Sequence, residues 1–526
     1  MPEVKLSIDE EQKLFDAEVA AIEKQWASPR QAHLKRPYDA RTVAALRNTQ
    51  TTTSPFSSAQ GVKLWNQLHE HRKNGTTELT FGTTNPVTVS QMAKTQQTVY
   101  VSGALCGFSE VSNAGMDHAD YPWDTVPKVV SKVVKSQTWH DQRQRQFRMR
   151  HDKEKRKELE HWDYMAPIVA DGDMGFQSMT SAMKMAREFV DAGVACVHID
   201  DLAIGMKKFT IGEGRTIVPT SEYLDRLTAV RLQYDIMGSE TLLLCRCDTD
   251  HSEFITSVVD KRDHEFIIGA TKPVAPLQDH IREALAQGKD YKISRSEWKS
   301  SAGLMTFDEA VKAAASETEY SAYKGELLKE KFRSLAERRE IAKKTVKAEI
   351  VFDWELPRSA TGQYLFQSCV KAIVERAIAA APLGDITWAR MDFPIWDDIV
   401  SFHEQFLKVY PERLCAFGYT GDYDYAKAGF SDEQVKTLPW DMAKKFNVVW
   451  QVQPIWTLQG LNIETEKFGK MWQEEGIAGY LKKIQTPAIT REPHMVDGFE
   501  KLSWCGGYLA DAFFESIAGQ STVAKQ

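Results

Sequence analysis

The stretch Ala166-Pro-Ile-Val-Ala-Asp-Gly-Asp173 decides the fold, because a short apolar run ends there directly in acidic residues. The same pattern returns at Val194-Ala-Cys-Val-His-Ile-Asp-Asp201 and at Thr241-Leu-Leu-Leu-Cys-Arg-Cys-Asp248. Near-continuous apolar runs that alternate with amphipathic helical stretches are typical of buried parallel strands in a βα repeat. The pattern therefore predicts an α/β protein whose strands end in polar groups.

Further apolar runs extend this pattern along the chain. They lie at Thr98–Ser102, Ile386–Trp388, Arg413–Phe417 and Asn447–Gln451. Polar residues follow most of the runs, and the carboxyl-end loops of a barrel would gather these residues into one shared site. We therefore predict a (β/α)8 TIM-type barrel in which one strand is not visible from the sequence. The pattern alone leaves a doubly wound sheet as the alternative.

The chain is predicted to divide into four regions. Residues 1–97 form a mostly helical N-terminal region, and residues 98–270 form the first half of the barrel. The βα rhythm stops at 271–352, where charged segments such as LLKEKFRSLAERREIAKKTVKAE indicate an inserted helical subdomain. Residues 353–526 supply the second half of the barrel and C-terminal helices.

The composition favours a globular protein that acts on a small metabolite. The 526 residues are 42% hydrophobic and 26% charged, which allows a large core. A net charge of −7 gives no general attraction for polyanions, so no nucleic-acid partner is expected. No apolar run approaches the roughly 20 residues that span a bilayer, so no membrane association is expected either.

The cysteines and the chain ends predict a cytoplasmic location. The seven cysteines contain no CxxC pair, which indicates a reducing compartment and disfavours a thiolate metal site. The first twenty residues are acidic and amphipathic, unlike a secretory signal or an Arg-rich transit peptide. The final Ala-Lys-Gln lacks the leucine of a peroxisomal address, so a peroxisomal location is the less favoured one.

The Asp-Gly-Asp turn at Asp171 and Asp173 suits a hard divalent cation. Mg²⁺ takes oxygen ligands in octahedral geometry and often needs only one or two protein carboxylates, with the substrate and water supplying the others. Acidic residues in a loop are also common as turn or helix-capping groups. The turn by itself therefore leaves both interpretations open.

Segments along the whole chain resemble the isocitrate lyase family. In order they are TVYVSG, DHADYPWDTVP, APIVADGDMGF, VACVHIDD, GMKKF, DKRDHEFIIGAT and FDWELPR. The resemblance includes the inserted helical segment of the eukaryotic branch. It implies a barrel of the isocitrate lyase and phosphoenolpyruvate mutase superfamily, a small carboxylate substrate, and Mg²⁺ as cofactor with Mn²⁺ as a substitute. It also implies a homotetramer that exchanges a C-terminal helix between subunits.

The resemblance implies which residues bind the metal and which contact the substrate. Asp171 matches the family's Mg²⁺-binding aspartate, and Asp173 belongs to the same acidic turn. Asp117 and Asp200 match acidic positions around the water shell of the metal, although Asp200 is one methylene shorter than the family's glutamate. The residues that match the family's substrate contacts are Tyr100, Ser102, Gly103, His198, Arg246 and Thr457. Tyr100 is also a candidate catalytic residue.

The resemblance implies an active-site lid at residues 205–215, and this lid departs from the family pattern. In the family it reads Lys-Lys-Cys-Gly-His, whereas here Lys207 and Lys208 are followed by Phe209 and Ile211 at the cysteine and histidine positions. A phenyl ring cannot donate a proton, so the family's acid is missing. The two lysines are expected either to contact a carboxylate or to remain solvated.

The substrate pocket departs from the family pattern as well. Ala104 stands where the family has tryptophan, and Arg390 stands where it has glutamate. Phe417 and Tyr419 match positions of the family's Asn-x-Ser-x-Ser, and no such motif is nearby. Arg390 could instead pair with Asp392. These changes indicate a pocket rebuilt for a bulkier, less anionic substrate tail.

The cysteines on either side of Arg246 are predicted to lie on the opposite face of the strand from the site. Cys245 and Cys247 are expected to point away from Arg246 and into the core. The sequence thus predicts a Mg²⁺-dependent carbon–carbon lyase for an α-hydroxy or α-keto carboxylate, with a substrate other than isocitrate. One alternative is a catalytically inactive paralogue with a structural or regulatory role. Another is slow cleavage of isocitrate with water or Tyr419 as the acid.

Overall fold

Eight parallel strands form a barrel in the computed structural model, which describes residues 6–50, 55–111, 121–176, 178–204, 214–421, 423–491 and 507–523. The strands are β1 Glu78–Phe81, β2 Val99–Val101, β3 Ile168–Asp171, β4 Cys196–Ile199, β5 Leu242–Cys247, β6 Ile386–Ala389, β7 Leu414–Gly418 and β8 Val448–Gln453. They are hydrogen-bonded in the order β1-β8-β7-β6-β5-β4-β3-β2, and a parallel bridge between Gly82 and Tyr100 joins β1 to β2. The predicted barrel is confirmed.

The strand that the sequence did not reveal is β1, which lies within the first 97 residues. Its sequence Glu-Leu-Thr-Phe does not form an apolar run, yet Glu78 is only 5% exposed. The Glu78 carboxylate accepts the backbone N–H groups of Gln97 and Thr98 at 2.7 and 2.9 Å. Because these hydrogen bonds replace water, a polar side chain is tolerated in a buried strand.

Strand β5 shows how one strand serves both the site and the core. Leu242 and Leu244 pack inside the barrel, whereas Cys245 and Cys247 lie in the layer between the sheet and the helices. Arg246 alternates with the two cysteines and contacts the interior Trp388. Burial raises the pKa of Cys245 to about 12. The prediction that both cysteines belong to the core is confirmed.

Helix Pro55–Asn74 covers the amino-terminal end of the barrel. Its Leu64 and Leu68 are fully buried among the interior side chains of the strands. Gly61 makes this close approach feasible, because a Cβ there would overlap the carbonyl oxygen of Glu240. This helix therefore closes the amino-terminal end of the barrel, and the carboxyl end remains open for a site.

The helices of the outer layer are Gly103–Glu110, Thr125–Met149, Met179–Ala192, Thr220–Met237, Val370–Ala380, Trp396–Val409 and Asp432–Phe446. Shorter or peripheral helices are Ile8–Trp26, Ala40–Leu46, Pro86–Met92 and Lys153–Glu158, with 3₁₀ turns at His264–Phe266 and Ala381–Leu383. The C-terminal helices are Asn462–Tyr480, Thr486–Arg491 and Gly507–Ile517, with π turns at Thr457–Leu461 and Leu481–Gln485. In the described part of the chain, no helix combines the length and apolarity that a membrane crossing requires.

The segment between β5 and β6 carries an inserted helical unit. Its helices are Leu277–Ala286, Tyr291–Ser301, Phe307–Ala314, Glu317–Leu327 and Leu335–Thr345. Capping boxes begin three of them, for example Ser316 with Glu319, which satisfies the free N–H groups of the first turn. Two small cores, one around Phe307 and one around Trp298, stabilise the unit.

Short strands connect this unit to the barrel mouth. Phe254–Ile255 pairs with Thr216–Ile217 and with Tyr364–Leu365, and Ile268–Gly269 pairs with Met305–Thr306. The first of these sheets joins three segments by backbone hydrogen bonds. They are the segment before helix Thr220–Met237, the loop after β5, and the segment that follows the inserted unit. Loops distant in sequence therefore meet above the barrel.

Candidate active site

An open cavity of about 670 Å³ lies at the carboxyl end of the barrel. Six of the residues proposed from the sequence line it, namely Tyr100, Ser102, Asp171, Arg246, Arg390 and Tyr419. Ala104 lines it too. The strand ends thus bring the predicted residues of distant segments to one place, as expected for the active site of a barrel enzyme.

Asp171 is the last residue of β3 and is only 2% exposed. The parallel register of β3 and β4 sets it beside His198, whose Nδ1 is 3.4 Å from Asp171 Oδ1. Asp171 also accepts the backbone N–H groups of Gly103 at 3.1 Å and Asp173 at 2.9 Å. Hydrogen bonds to a carboxylate favour its charged form and fix its orientation.

The acidic turn continues from Asp171 into neighbouring segments. The Tyr121 hydroxyl donates to Asp173 Oδ2, and the backbone N–H of Asp200 donates to the carbonyl of Asp173 at 2.8 Å. Asp173 and Asp200 are fully buried. Gly103 is required here, since a Cβ would lie 2.7 Å from Asp173 Oδ2 and 3.0 Å from Asp171 Oδ2.

The described residues contain no group of three or more His, Cys, Asp or Glu side chains that converges on one point. Asp117, a further predicted acidic residue, lies outside the described ranges. The carboxylates of Asp171 and Asp173 nevertheless approach the same space beneath Gly103, and Asp171 faces the cavity. This donor set fits a Mg²⁺ ion that takes one or two carboxylates and completes its shell with substrate and water oxygens.

Tyr100 and His198 pair inside the barrel. The Tyr100 hydroxyl is 3.0 Å from His198 Nε2, and the two rings are stacked with centroids 5.8 Å apart. Burial, together with the charge of Asp171, raises the pKa of Tyr100 well above its ordinary value. The phenol is therefore neutral near pH 7 and available as a hydrogen-bond donor. His198 supports this wall but does not line the cavity.

Arg246 is held rigidly at the end of β5. Its Nε and Nη2 donate to the two oxygens of Asp248 at 2.5 and 2.6 Å, and its guanidinium lies 4.8 Å from the ring centre of Trp388. This bidentate pairing uses one edge of the guanidinium and leaves Nη1 for a ligand carboxylate. Asp248, which the sequence analysis did not select, is thus a positioning residue.

Arg390 belongs to an alternating chain of charges. Its Nε donates to Asp392 Oδ1 at 2.7 Å, and the other oxygen of Asp392 accepts from Arg215. Arg390 Nε also lies 4.0 Å from Asp248 Oδ2, which links this chain to Arg246. The predicted pairing of Arg390 with Asp392 is confirmed, and both residues remain at the cavity wall.

The inserted unit adds charges that the sequence analysis missed. Arg295 and Lys299, on helix Tyr291–Ser301, donate to Glu253 Oε1 at 2.5 and 2.6 Å, and all three line the cavity. His251, in the same loop as Glu253, lines it as well. For His251 and Glu253, the run of polar residues directly after β5 could have predicted a position at the cavity. No local pattern distinguishes Arg295 from the other charges of a solvated helix.

Other predicted residues do not line the cavity. Phe417 is 1% exposed and packs in the core, against Tyr419 among others. The Thr457 hydroxyl donates to the carbonyl of Gly82 at 3.2 Å. Tyr419 remains at the wall, where its hydroxyl donates to Gln451 Oε1 at 2.5 Å. The lid residues Lys207, Lys208, Phe209 and Ile211 lie outside the described residues.

The fold and the strand-end site define a (β/α)8-barrel lyase, and comparison with known proteins identifies its family. The model of the isocitrate lyase family matches residues 18–525, so the chain belongs to the isocitrate lyase family of carbon–carbon lyases. A mitochondrial 2-methylisocitrate lyase of Schizosaccharomyces pombe is 54% identical over 98% of each chain. An isocitrate lyase of Oryza sativa subsp. japonica is 34% identical over 98% of this chain and 93% of its own. A solved structure of a 2,3-dimethylmalate lyase has a TM-score of 0.44 at 11% identity and covers 88% of this chain and 98% of its own.

The predicted cytoplasmic location is wrong. The name of the Schizosaccharomyces pombe relative places that protein in mitochondria, as do the names of two further relatives that match this chain. These relatives point to a mitochondrial location. The inference from residues 1–20 rested on their acidic, amphipathic composition alone, which is weaker evidence than relatives that match nearly the whole chain.

Proposed function

We propose that this chain cleaves 2-methylisocitrate into pyruvate and succinate. The proposal rests above all on the cavity at the strand ends, where Ala104 lies beside Tyr100, Ser102 and Arg246. The Schizosaccharomyces pombe relative, which is 54% identical, carries the name of this activity. Replacing the family's tryptophan by alanine leaves room for a methyl group at the carbon that becomes the ketone.

The charges of the cavity suit a substrate with several carboxylates. Of the described residues that line it, five are cationic and three are carboxylates. The cations are Arg215, Arg246, Arg295, Lys299 and Arg390, and the carboxylates are Asp171, Glu253 and Asp392. A tricarboxylate that also meets a divalent cation would be attracted to such a site.

Mg²⁺ is the cofactor that we propose, with Mn²⁺ as a substitute. Asp171 would hold it, and Asp173 and Asp200 would orient its water shell. When bound, the ion stabilises negative charge on the substrate's oxygens. Arg246 Nη1 binds the carboxylate next to the reacting carbon, and the neutral Tyr100 hydroxyl donates a hydrogen bond to the substrate. Titration calorimetry with Mg²⁺, alone and with the pyruvate analogue oxalate, tests the metal.

Paired assays of product formation test the substrate. We expect release of pyruvate from 2-methylisocitrate, measured with lactate dehydrogenase, and much weaker release of glyoxylate from isocitrate. Preference for isocitrate would contradict the proposal. Absence of product from both substrates, in protein that is folded by circular dichroism, would instead support the inactive-paralogue alternative.

Ala104→Trp tests the steric argument directly. We expect the ratio of kcat/KM for 2-methylisocitrate over isocitrate to fall about 10- to 200-fold, the range for one methylene in an apolar pocket. Ala104→Ser is the matched control, because it changes polarity and adds little volume, and its ratio should stay near that of the wild type. An unchanged ratio in Ala104→Trp would place the methyl group elsewhere.

We also propose self-association into a homotetramer through the C-terminal helices. Helix Asn462–Tyr480 exposes Ile463, Phe468 and Trp472 by 53, 40 and 43%. Contiguous exposed apolar surface of this kind is typical of protein–protein interfaces. Light scattering should give a mass near four copies of 59.7 kDa. A monomer at micromolar concentration would contradict the proposal.

A further inference from the structure

The turn after β5 brings a histidine to the cavity. His251 follows shortly after Asp248 in sequence, and its side chain lines the same cavity as Arg246 and Arg390. Its backbone lies in the left-handed region with φ of 59°. This conformation is uncommon outside glycine, and such residues cluster at functional sites when the surrounding structure holds them.

Two neighbours fix the imidazole ring of His251. Nδ1 is 2.7 Å from Asp250 Oδ2, and Phe393 packs edge-to-face at a centroid distance of 5.0 Å. Among the described residues, no hydrogen-bond partner is present at Nε2. A carboxylate on one ring nitrogen orients the other for proton transfer, as in known acid–base pairs.

The charges around His251 come from several elements. Asp250 lies on its own turn, Asp392 in the loop after β6, Asp398 on helix Trp396–Val409, and Arg215 in the segment before helix Thr220–Met237. The hydrogen bond that Nδ1 of His251 donates to the Asp250 carboxylate raises the pKa of His251, although burial and Arg215 oppose this shift. A larger fraction of the ring is therefore protonated near neutral pH than in an isolated histidine, whose pKa is about 6.5.

The other groups at the cavity are poorer proton donors. Burial raises the pKa of Tyr419 far above the neutral range, and Tyr100 behaves likewise. None of the described cysteines lines the cavity. The carboxyl groups of Glu253 and Asp392 are engaged in ion pairs. Compared with the lining tyrosines and the ion-paired carboxyl groups, His251 therefore has the more readily transferable proton.

We propose that His251 is the catalytic acid of this enzyme, a role that rests on the proposed function. The C2–C3 bond of 2-methylisocitrate breaks, and its electron pair goes to C3. The proton on His251 Nε2 is transferred to C3 and completes succinate. The hydroxyl proton of C2 passes to solvent in the open cavity as C2 becomes the carbonyl carbon of pyruvate, and solvent returns a proton to His251.

His251→Gln tests this role in the full-length protein with Mg²⁺ and 2-methylisocitrate. We expect kcat to fall about 10²- to 10⁴-fold, the range for loss of a general acid, with oxalate affinity and thermal midpoint unchanged. His161→Gln is the control, because His161 is exposed and does not line the cavity. An unchanged kcat in His251→Gln would overturn the inference while leaving the proposed function intact. Failure of the wild type to cleave 2-methylisocitrate would refute the proposed function itself.

Proton exchange and pH profiles separate a proton donor from a structural residue. In D₂O with pyruvate, wild-type enzyme should exchange the methylene protons of succinate, as detected by NMR, and His251→Gln should not. Since the acid must be protonated, kcat falls as pH rises through its pKa. Asp250→Asn lowers that pKa, so this alkaline limb should move to lower pH, and it should be absent in His251→Gln. Retention of wild-type exchange and of the same limb in His251→Gln would overturn the proposal.

Discussion

The cavity has two walls that are built in different ways. The strand wall consists of Tyr100, Asp171 and Arg246, which lie on β2, β3 and β5 and are supported by His198 on β4. Parallel register alone sets Asp171 beside His198 and Arg246 beside Trp388. These side chains need no long loop to reach their positions, so small changes elsewhere should leave them in place.

The loop wall consists of Arg215, His251, Glu253, Arg390 and Asp392. Ion pairs hold it together across the chain, and Arg215 and Asp392 are 177 positions apart. On the strand wall, Asp171 and Arg246 match the residues that the family resemblance implies. On the loop wall, Arg390 replaces the family's glutamate. The comparison shows how strand register can keep the reacting groups in place while changes in the loops alter the substrate specificity.

The largest effect is expected from breaking the strand wall at Asp171. Asp171→Asn removes the charged oxygen that faces the cavity and keeps the hydrogen-bonding shape. Affinity for Mg²⁺ measured by calorimetry should fall by more than the roughly 10- to 100-fold that is typical of losing an outer partner of a metal site. Asp163→Asn, on an exposed loop residue, is the control. Unchanged metal uptake would show that Asp171 is not a ligand.

An intermediate effect is expected from breaking the loop wall at Asp392. Asp392→Asn removes the carboxylate shared by Arg390 and Arg215, which should lower the free energy of unfolding by about 3–5 kcal/mol, as for other broken buried pairs. Chemical denaturation gives this difference. Oxalate affinity should change far less than in Asp171→Asn, because the strand wall remains. Equal losses of oxalate affinity would mean that the two walls are not separable.

The pH dependence of the same variant sharpens this test. Burial alone would raise the pKa of Asp392, but Arg390 and Arg215 hold it below its ordinary value of about 3.9. A depressed folded-state pKa contributes stability that is complete above the unfolded value and is lost as pH falls through the folded value. The wild type should therefore lose stability below about pH 4 more steeply than Asp392→Asn. Parallel profiles would contradict the assignment.

The smallest effect is expected from Glu253→Gln. Its carboxylate is partly exposed and pairs with Arg295 and Lys299 of the inserted unit, so stability should fall by about 1 kcal/mol or less. Two cations would then face the cavity with less neutralisation, and KM for a tricarboxylate should decrease modestly at low salt. Steady-state kinetics at two ionic strengths measure this. An increase in KM would show that Glu253 itself assists binding.

The barrel and the strand wall followed from local sequence. Apolar runs marked most of the strands, and polar residues within or directly after the runs on β2, β3 and β5 reached the cavity. Strand β1 was not predicted, because it contains the polar residue Glu78. This residue is buried, and its carboxylate accepts hydrogen bonds from the backbone N–H groups of Gln97 and Thr98. A pattern of apolar residues cannot show a polar residue that the fold has satisfied.

The sequence by itself determined the βα repeat, the family and the position of Asp171 and Arg246, because hydrophobic periodicity and strand alternation are properties of neighbouring residues. Only the tertiary structure decided that Asp248 pairs with Arg246, that Asp392 also pairs with Arg215, and that Arg295 reaches the cavity. Except for the pair of Asp248 with Arg246, these contacts join separate segments. Their energies depend on burial and distance, which no local pattern encodes.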